Sequence, residues 1–178
     1  MMDKPLSYYA FEMLYWCGIR EGELLALTPA DFNFERGTVS INKSYQRINK
    51  QDVITTPKTP KSIRVIQMPK FLCDEMQDYF KMFYSLDSDS RIFPISKNYL
   101  HREMARGSKA TGVKRIRIHD LRHSHVSLLI DMGFTALAIA DRVGHESIDI
   151  TFRYAHLFPT RQIEMADKLD MMRSEKGA

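Results

Sequence analysis

The chain opens with apolar residues at helical spacing. Tyr9, Met13 and Cys17 recur every four positions. A stripe with this period buries one face of a helix, and a glycine commonly ends one. The pattern therefore predicts a helix over residues 6–17 that ends at Gly18. Two shorter helical segments are predicted to follow it, at 21–27 and 28–31.

After Gly37 the period changes from that of a helix to that of a strand. β-Branched residues dominate 38–41, and Ile63 and Val65 alternate with Arg64 further along. Alternation of this kind is typical of strands. Three strands are predicted, at 38–41, 52–56 and 62–68. They form one small antiparallel sheet, and its last hairpin turn, 56–60, displays Lys58 and Lys61.

The rest of the chain has helical periodicity. Between residues 70 and 86, Leu72, Met76, Tyr79 and Phe83 form one apolar stripe, which predicts an amphipathic helix. Five further helices are predicted at 97–107, 120–131, 135–143, 147–156 and 160–172. The expected fold is mainly α with a small three-stranded antiparallel sheet, an α+β class, in a single domain.

Charge is distributed unevenly along this chain, whose formal net charge is +4. Residues 43–70 contain seven Lys or Arg against one acidic residue, and residues 97–123 contain eight against two. Each segment thus carries +6, and the remainder carries −8. Basic segments of this density are expected of a nucleic-acid surface, but solvated faces that bind nothing can have the same composition.

Cysteine usage and hydropathy indicate the compartment. Cys17 and Cys73 lie far apart in the chain and outside any CxxC pair, so neither a disulfide framework nor a cysteine zinc site is implied. We expect a reducing, cytoplasmic setting. The sequence predicts neither a signal peptide nor an apolar run of the ~18 residues that span a membrane.

Histidines and arginines cluster near residue 120. His119 and Arg122 lie three positions apart at a predicted helix start, so they share one face and can hold a phosphate. His119, His123 and His125 also suggest a metal site, but Arg122 would repel a cation and no HExxH glutamate is present. Packing and helix hydrogen bonds are the favoured interpretation of His123 and His125.

A second candidate group follows a helix-ending glycine. His145 comes directly after Gly144, and Tyr154 follows nine residues later. On a short helix, Phe152 and Ala155 can supply the buried face, which lets the Tyr154 hydroxyl point into a cleft.

Five short motifs occur in a fixed order across residues 6–158. They are Gly18-Ile19-Arg20-Glu21-Gly22-Glu23-Leu24-Leu25-Ala26-Leu27-Thr28, Pro57-Lys58-Thr59 before Ser62-Ile63-Arg64, His119-Asp120-Leu121-Arg122-His123, Val143-Gly144-His145 and Arg153-Tyr154-Ala155-His156. In this order they closely resemble the catalytic domain of tyrosine recombinases, above all the integrases of phages and conjugative transposons. The resemblance implies the fold of that domain.

The resemblance also implies a catalytic set of six residues, Arg20, Lys58, His119, Arg122, His145 and Tyr154. Tyr154 would be the nucleophile, and Arg20, Arg122 and His145 would stabilise the phosphate. Lys58 would be the general acid, and His119 an acid or base.

Four other residues of these motifs receive lesser roles. Lys61 lies in the same turn as Lys58, but the Lys-Thr dipeptide and the distance to Arg64 favour Lys58. Glu23, Asp120 and Leu121 are interpreted as structural supports.

The implied activity is site-specific DNA recombination, the integration or excision of a mobile element, through a 3′-phosphotyrosine intermediate without metal, ATP or another cofactor. The implied partners are double-stranded DNA, three further copies of the chain in a tetramer, and accessory DNA-bending or directionality factors. Residues 160–178 would pack on a neighbouring protomer. We expect the chain, 1–178, to be one catalytic domain without the core-binding and arm-binding domains of such recombinases.

Two alternatives remain at this point. A type IB topoisomerase-like enzyme would nick and close DNA by similar chemistry without strand exchange. The second alternative is a DNA-binding module that has lost catalysis. All six positions of the catalytic set are filled, which argues against it.

Overall fold

The computed structural model describes residues 4–57, 59–147, 154 and 162–175. Seven helices are α1 Pro5–Cys17, α2 Glu21–Leu24, α3 Lys70–Lys81, α4 Lys97–Thr111, α5 Ile118–Asp131, α6 Ala136–Val143 and α7 Gln162–Glu175. Five strands are β1 Phe32–Asn33, β2 Thr38–Ile41, β3 Ser44–Ile48, β4 Gln51–Thr55 and β5 Arg64–Gln67. Within these ranges the fold is mainly helical with small antiparallel sheets, as predicted.

The strand pairing differs from the prediction. One sheet has the order β1-β2-β5, and β3 and β4 form a separate two-stranded hairpin. Asn49 and Lys50 join that hairpin with φ angles of 51° and 66°, the left-handed conformation of tight hairpin turns. The predicted strand 52–56 therefore pairs with its preceding neighbour, and its assignment to the same sheet as 38–41 and 62–68 was wrong.

The segment between β4 and β5 is consequently not a hairpin turn. β4 and β5 belong to different sheets, and Pro60–Ser62 forms a short 3₁₀ turn before β5. Lys58 lies outside the described residues. The residues of β5 alternate between two faces, but the face of Ile63 and Val65 is exposed and that of Ile66 is buried. Arg64 lies on the same face as Ile66 and is almost completely buried.

The core is built around α1, which packs against α3 and α5. Its Ala10, Met13 and Cys17 side chains are fully buried. A smaller apolar cluster joins α5 to α6 and consists of Val126, Ile130, Ile139 and Val143, with Tyr154 packed against it. At the end of α6, Arg142 Nη2 donates to the Trp16 carbonyl, which lies at the end of α1.

Two predicted helix ends are confirmed, because Gly18 and Gly144 cap α1 and α6 with φ angles of 62° and 68°. Other boundaries differ. α2 stops at Leu24, since Arg91 Nη1 binds the Leu25 carbonyl and Ile92 N–H binds the Leu27 carbonyl. α3 ends at Lys81, before the predicted residue 86, and Ile92 and Phe93 of the following segment are buried in the core.

The last predicted helices are only partly described. Of 147–156, only Ser147 and Tyr154 fall within the described residues. α7 covers most of the predicted 160–172, and its side chains from Met165 to Arg173 are exposed. No helix in the described part of the chain is long and apolar enough to cross a membrane.

Candidate active site

Arg20 is the N-cap residue directly before α2, and its side chain is held from two sides. Its Nη1 donates to Glu23 Oε1 at 2.8 Å, and its Nη2 donates to the Gly144 carbonyl at 3.0 Å. The backbone N–H of Arg20 donates to the other oxygen of Glu23 at 2.8 Å. The Arg20 side chain remains 39% exposed, so its guanidinium is oriented and still open to an anion.

Arg122 projects from α5 into a nearly closed position. Its Nη1 and Nη2 donate to the carbonyls of Gly18 and Val143, each at 2.6 Å. Burial, together with the charge of Arg20, lowers the pKa of Arg122 to about 9. The guanidinium is therefore still charged at neutral pH, and water competes little for it.

The C-terminal end of α6 binds three arginines through three successive carbonyls. Arg64 Nε donates to the Arg142 carbonyl at 2.9 Å, Arg122 to that of Val143 and Arg20 to that of Gly144. This is the negative end of the helix dipole, which favours cations. Gly144 is required here, because a Cβ would lie 3.0 Å from Arg64 Nη1 at a positive φ.

His145 follows this helix end and is buried beside the arginines. Its backbone N–H donates to the Ala140 carbonyl at 2.9 Å. Burial and then the charges of Arg122 and Arg20 lower the pKa of its imidazole to about 4. His145 is thus neutral at pH 7 and can donate one ring N–H to an anion.

His119 and Arg20 line a cleft of about 580 Å³. The other lining residues come from the starts of α2 and α4 and from β3: Glu21, Gly22, Ser44, Tyr45, Gln46, Arg47, Ser96, Lys97 and Asn98. Burial, then His123 and Arg122, lower the pKa of His119 below its ordinary value. His119 is therefore mainly neutral at pH 7 and able to accept a proton.

A second cleft of about 330 Å³ also contains Arg20 and reaches the chain around the predicted lysine. Pro57 and Thr59, the neighbours of Lys58, line it. Lys61 lines a different, smaller pocket beside His145. The segment that carries Lys58 thus borders the same space as Arg20.

Tyr154 meets a histidine that the sequence analysis interpreted as a packing residue. The Tyr154 hydroxyl contacts Nδ1 of His123. The His123 ring meets that of His119 edge to face, with centroids 4.6 Å apart. The packing interpretation of His123 is confirmed, because its ring packs on those of His119 and Tyr154. The sequence analysis missed its contact with the Tyr154 hydroxyl, since the i,i+4 spacing on one helix face indicates only the contact with His119.

The same interpretation is confirmed for His125. Its side chain is buried, and its Nε2 accepts a hydrogen bond from Arg142 Nε at 3.1 Å. Across the described ranges, no three His, Cys, Asp or Glu side chains are grouped to hold a metal ion.

The supports named in the sequence analysis also have definite positions. Asp120 accepts hydrogen bonds from the backbone N–H and the side chain of Arg117, which caps the start of α5. Glu23 is buried between Arg20 and Arg64. Burial raises the pKa of the Glu23 carboxyl, but hydrogen bonds and charge from Arg64, and then Arg20, outweigh it and leave the pKa below its usual range.

Together these side chains can bind a phosphoryl group. Arg20, Arg122 and His145 converge at the ends of α1 and α6, and together they carry two positive charges and one neutral N–H donor. Planar guanidinium groups match the oxygens of a phosphate. The phenol of Tyr154 lies in contact with His123, a potential proton acceptor, on the same helix as Arg122.

The chain is similar to several integrases. The profile of the phage integrase family matches residues 3–161. The ICEBs1 integrase of Bacillus subtilis (strain 168) is 36% identical over 182 aligned positions, which cover 94% of this chain and 50% of that protein. A putative prophage phiRv2 integrase of Mycobacterium tuberculosis is 28% identical and is covered to 47%. The chain thus spans about half the length of these relatives.

Among solved structures, the Tn1549 transposon integrase in complex with circular intermediate DNA has the same fold. Its TM-score to this chain is 0.74 at 22% sequence identity, and the match covers 93% of this chain and 59% of that one. The family profile, which spans most of the sequence, establishes that the chain belongs to the phage integrase family.

Proposed function

We propose that the chain cleaves and rejoins DNA strands in site-specific recombination, through a covalent 3′-phosphotyrosine at Tyr154. The convergence of Arg20, Arg122 and His145 on one helix end, beside two open clefts, carries this proposal. A covalent intermediate retains the energy of the phosphodiester bond, so the strand can be rejoined without ATP.

Tyr154 attacks the phosphorus atom, and the proton of its phenol passes to a histidine. A phenol with an ordinary pKa of about 10 is a weak nucleophile at pH 7, so it needs a base in the transition state. His123 contacts the phenol, and His119 packs against His123 and borders the larger cleft. This pair supports a histidine base at the start of α5.

Arg20 and Arg122 stabilise the charge that gathers on the non-bridging oxygens of phosphorus. Their guanidiniums are already oriented by backbone carbonyls and by Glu23, so little reorganisation accompanies the reaction. His145 adds a neutral N–H donor. In other phosphoryl-transfer enzymes an arginine at this position in the reaction contributes about 10³ to 10⁵ in rate.

Lys58 donates a proton to the departing 5′ oxygen. As the bond from Tyr154 to phosphorus forms, the bond from phosphorus to O5′ breaks and leaves a 5′ hydroxyl. The position of Pro57 and Thr59 on the cleft that contains Arg20 supports Lys58 over Lys61. Positive charge from these side chains supports a reaction that needs neither a metal ion nor ATP.

The remaining parts of the proposal concern partners. Double-stranded DNA is bound by the basic segments 43–70 and 97–123, chiefly through phosphate contacts. Recombination uses four protomers on two synapsed sites, with residues 160–178 packed on a neighbour, together with accessory DNA-bending or directionality factors. The catalytic domain corresponds to 1–178. The reaction takes place in the cytoplasm, where Cys17 and Cys73 remain free thiols.

Adduct trapping tests the proposal. The chain is incubated with a pool of nicked duplexes that contain a randomised central segment, so that cleavage beside the nick releases a short fragment and traps the covalent intermediate. Wild-type protein is expected to yield an adduct from which the preferred duplex is recovered, and Tyr154→Phe none. An adduct on Tyr154→Phe, or a strict requirement for Mg²⁺, would overturn the mechanism. Exchange between two recovered duplexes then separates recombination from nicking and closing.

A further inference from the structure

A buried carboxylate connects the exposed Arg20 to a second arginine that the sequence analysis gave no role. Glu23 Oε1 and Oε2 accept hydrogen bonds from Arg64 Nη1 and Nη2 at 3.2 and 3.0 Å. Glu23 Oε1 also accepts from Arg20 Nη1. The side chains of Arg64 and Glu23 are 6% and 3% exposed. Arg20 lines both clefts and Glu23 borders the smaller one, whereas Arg64 lines neither of the two.

The charges of this triad determine what Arg20 can offer an anion. The formal charges of Arg20 and Glu23 alone would sum to zero. Glu23 Oε1 lies 2.8 Å from Arg20 Nη1 in a buried position, so water screens its negative charge only weakly. Glu23 stays ionised, as its lowered pKa indicates. Arg64 brings the sum to +1, so the positive charge that Arg20 directs at the clefts depends on it.

Arg64 also binds the end of α6, whose Gly144 carbonyl orients Arg20. Its Nε donates to the Arg142 carbonyl at 2.9 Å, two residues before the Gly144 carbonyl that binds Arg20. The Gly144 Cα lies so close to Arg64 that a Cβ there would lie 3.1 Å from Arg64 Cδ. Arg64 therefore contacts both groups that orient Arg20, the Glu23 carboxylate and the end of α6.

We propose that Arg64 is a positioning residue for the phosphate site. Arg64 neutralises Glu23 and anchors the end of α6, so that Arg20 keeps its orientation and the triad keeps a net positive charge toward the anion. Arg64 itself does not touch the DNA. The proposal rests on the proposed function, because its effect is read in strand cleavage. Loss of Arg64 leaves Arg20, among the described residues, as the one cation that pairs with the buried Glu23 carboxylate, which draws the Arg20 guanidinium away from the phosphate.

The experiment measures single-turnover adduct formation on the duplex recovered from the wild-type adduct. Arg64→Met is expected to lower the rate at saturating protein about 100-fold, the size of a lost charge-stabilising contact in a preorganised site. The half-saturating concentration should change little. The double variant Glu23→Gln/Arg64→Met should cleave about 10-fold faster than Arg64→Met, because it also removes the carboxylate that draws Arg20 away from the phosphate. A purely structural role for Arg64 does not predict this recovery.

A similar triad elsewhere supplies the control. Glu103 is buried between Lys4 Nζ at 2.5 Å and Arg106 Nε at 2.8 Å, away from both clefts. Lys4→Met removes one of its two cations and should leave the cleavage rate unchanged. Thermal unfolding of each variant identifies the temperature range in which it is folded. If Arg64→Met does not fold, Arg64→Lys, which keeps the charge but loses the bidentate contact, should cleave about 10-fold slower than wild type.

Three outcomes would overturn the role of Arg64. They are a wild-type rate for a folded Arg64→Met or for Arg64→Lys, a double variant no faster than Arg64→Met, and an equal loss in Lys4→Met. Absence of any adduct with the wild-type chain would instead contradict the proposed function, so the two failures are distinguishable.

Discussion

Gly18→Ala changes the residue that ends α1 and touches the site. Gly18 has a φ of 62°, and a Cβ there would overlap Cδ2 of His125 and lie 3.0 Å from its Cγ. A left-handed alanine costs about 1–2 kcal/mol. Overpacking against a buried ring adds about 1–3 kcal/mol, since His125 is itself fixed by Arg142. The free energy of unfolding should fall by about 2–5 kcal/mol.

Two other glycines separate these contributions. Gly112 has a φ of 72°, and a Cβ added there would meet nothing within 4 Å, so Gly112→Ala should cost only the backbone strain of about 1–2 kcal/mol. Gly107 lies inside α4 with equally open space, and Gly107→Ala should add about 0.5–1 kcal/mol of stability.

Thermal unfolding followed by circular dichroism measures all three variants. For a chain of this length, each 1 kcal/mol shifts the melting temperature by about 2–4 °C, so Gly18→Ala should melt roughly 4–20 °C lower than wild type. Gly112→Ala should fall by much less, and Gly107→Ala should rise. Equal losses at Gly18 and Gly112 would refute the close packing of Gly18 on His125.

Three further predictions concern pH, the base and salt. His125 and His145 have pKa values lowered to about 4, so the unfolded chain binds more protons below its ordinary histidine pKa of about 6.5. The urea concentration at the midpoint of unfolding should therefore be highest above pH 6.5 and should fall as the pH is lowered toward about 4. A midpoint that stays constant between these pH values would contradict the lowered pKa values of the two histidines. His123→Gln should slow adduct formation about 10²-fold or more. The loss should persist on a substrate whose leaving 5′ oxygen is replaced by sulfur, because the base is still needed. Lys58→Ala should regain activity on that substrate, because a sulfur leaving group needs no general acid. DNA affinity should fall steeply as salt rises, and salt-independent binding would argue against phosphate contacts.

The features that the sequence predicted correctly depend on neighbouring residues. Gly18 and Gly144 each follow directly after an apolar stripe of helical period. Both have a positive φ, which ends the helix and which glycine adopts without strain. Thr135 accepts a hydrogen bond from the Ala138 N–H, the cap expected at the start of α6. Such signals are contained within one turn of chain, so they can be identified without knowledge of the fold.

The features that the sequence did not predict depend on distant contacts. β3, with Tyr45 as its one buried residue, has a mostly polar sequence, so its pairing with β4 was missed and β4 was assigned to the wrong sheet. Arg64 looks like an exposed residue of an alternating strand. Its burial follows from Glu23 and from the Arg142 carbonyl, which lie 41 and 78 positions away in the chain.

The arginines at the end of α6 are bound by main-chain oxygens, and this affects how the site can change over evolution. Substitution of a side chain at position 142 or 143 leaves its carbonyl in place, so the acceptors of Arg64 and Arg122 persist through such changes. The constraints fall on Gly144, on packing of the buried Val143 and on the path of the backbone. The sequence of α6 can therefore diverge in its exposed positions, for example at Leu137, while the anion site stays geometrically constant.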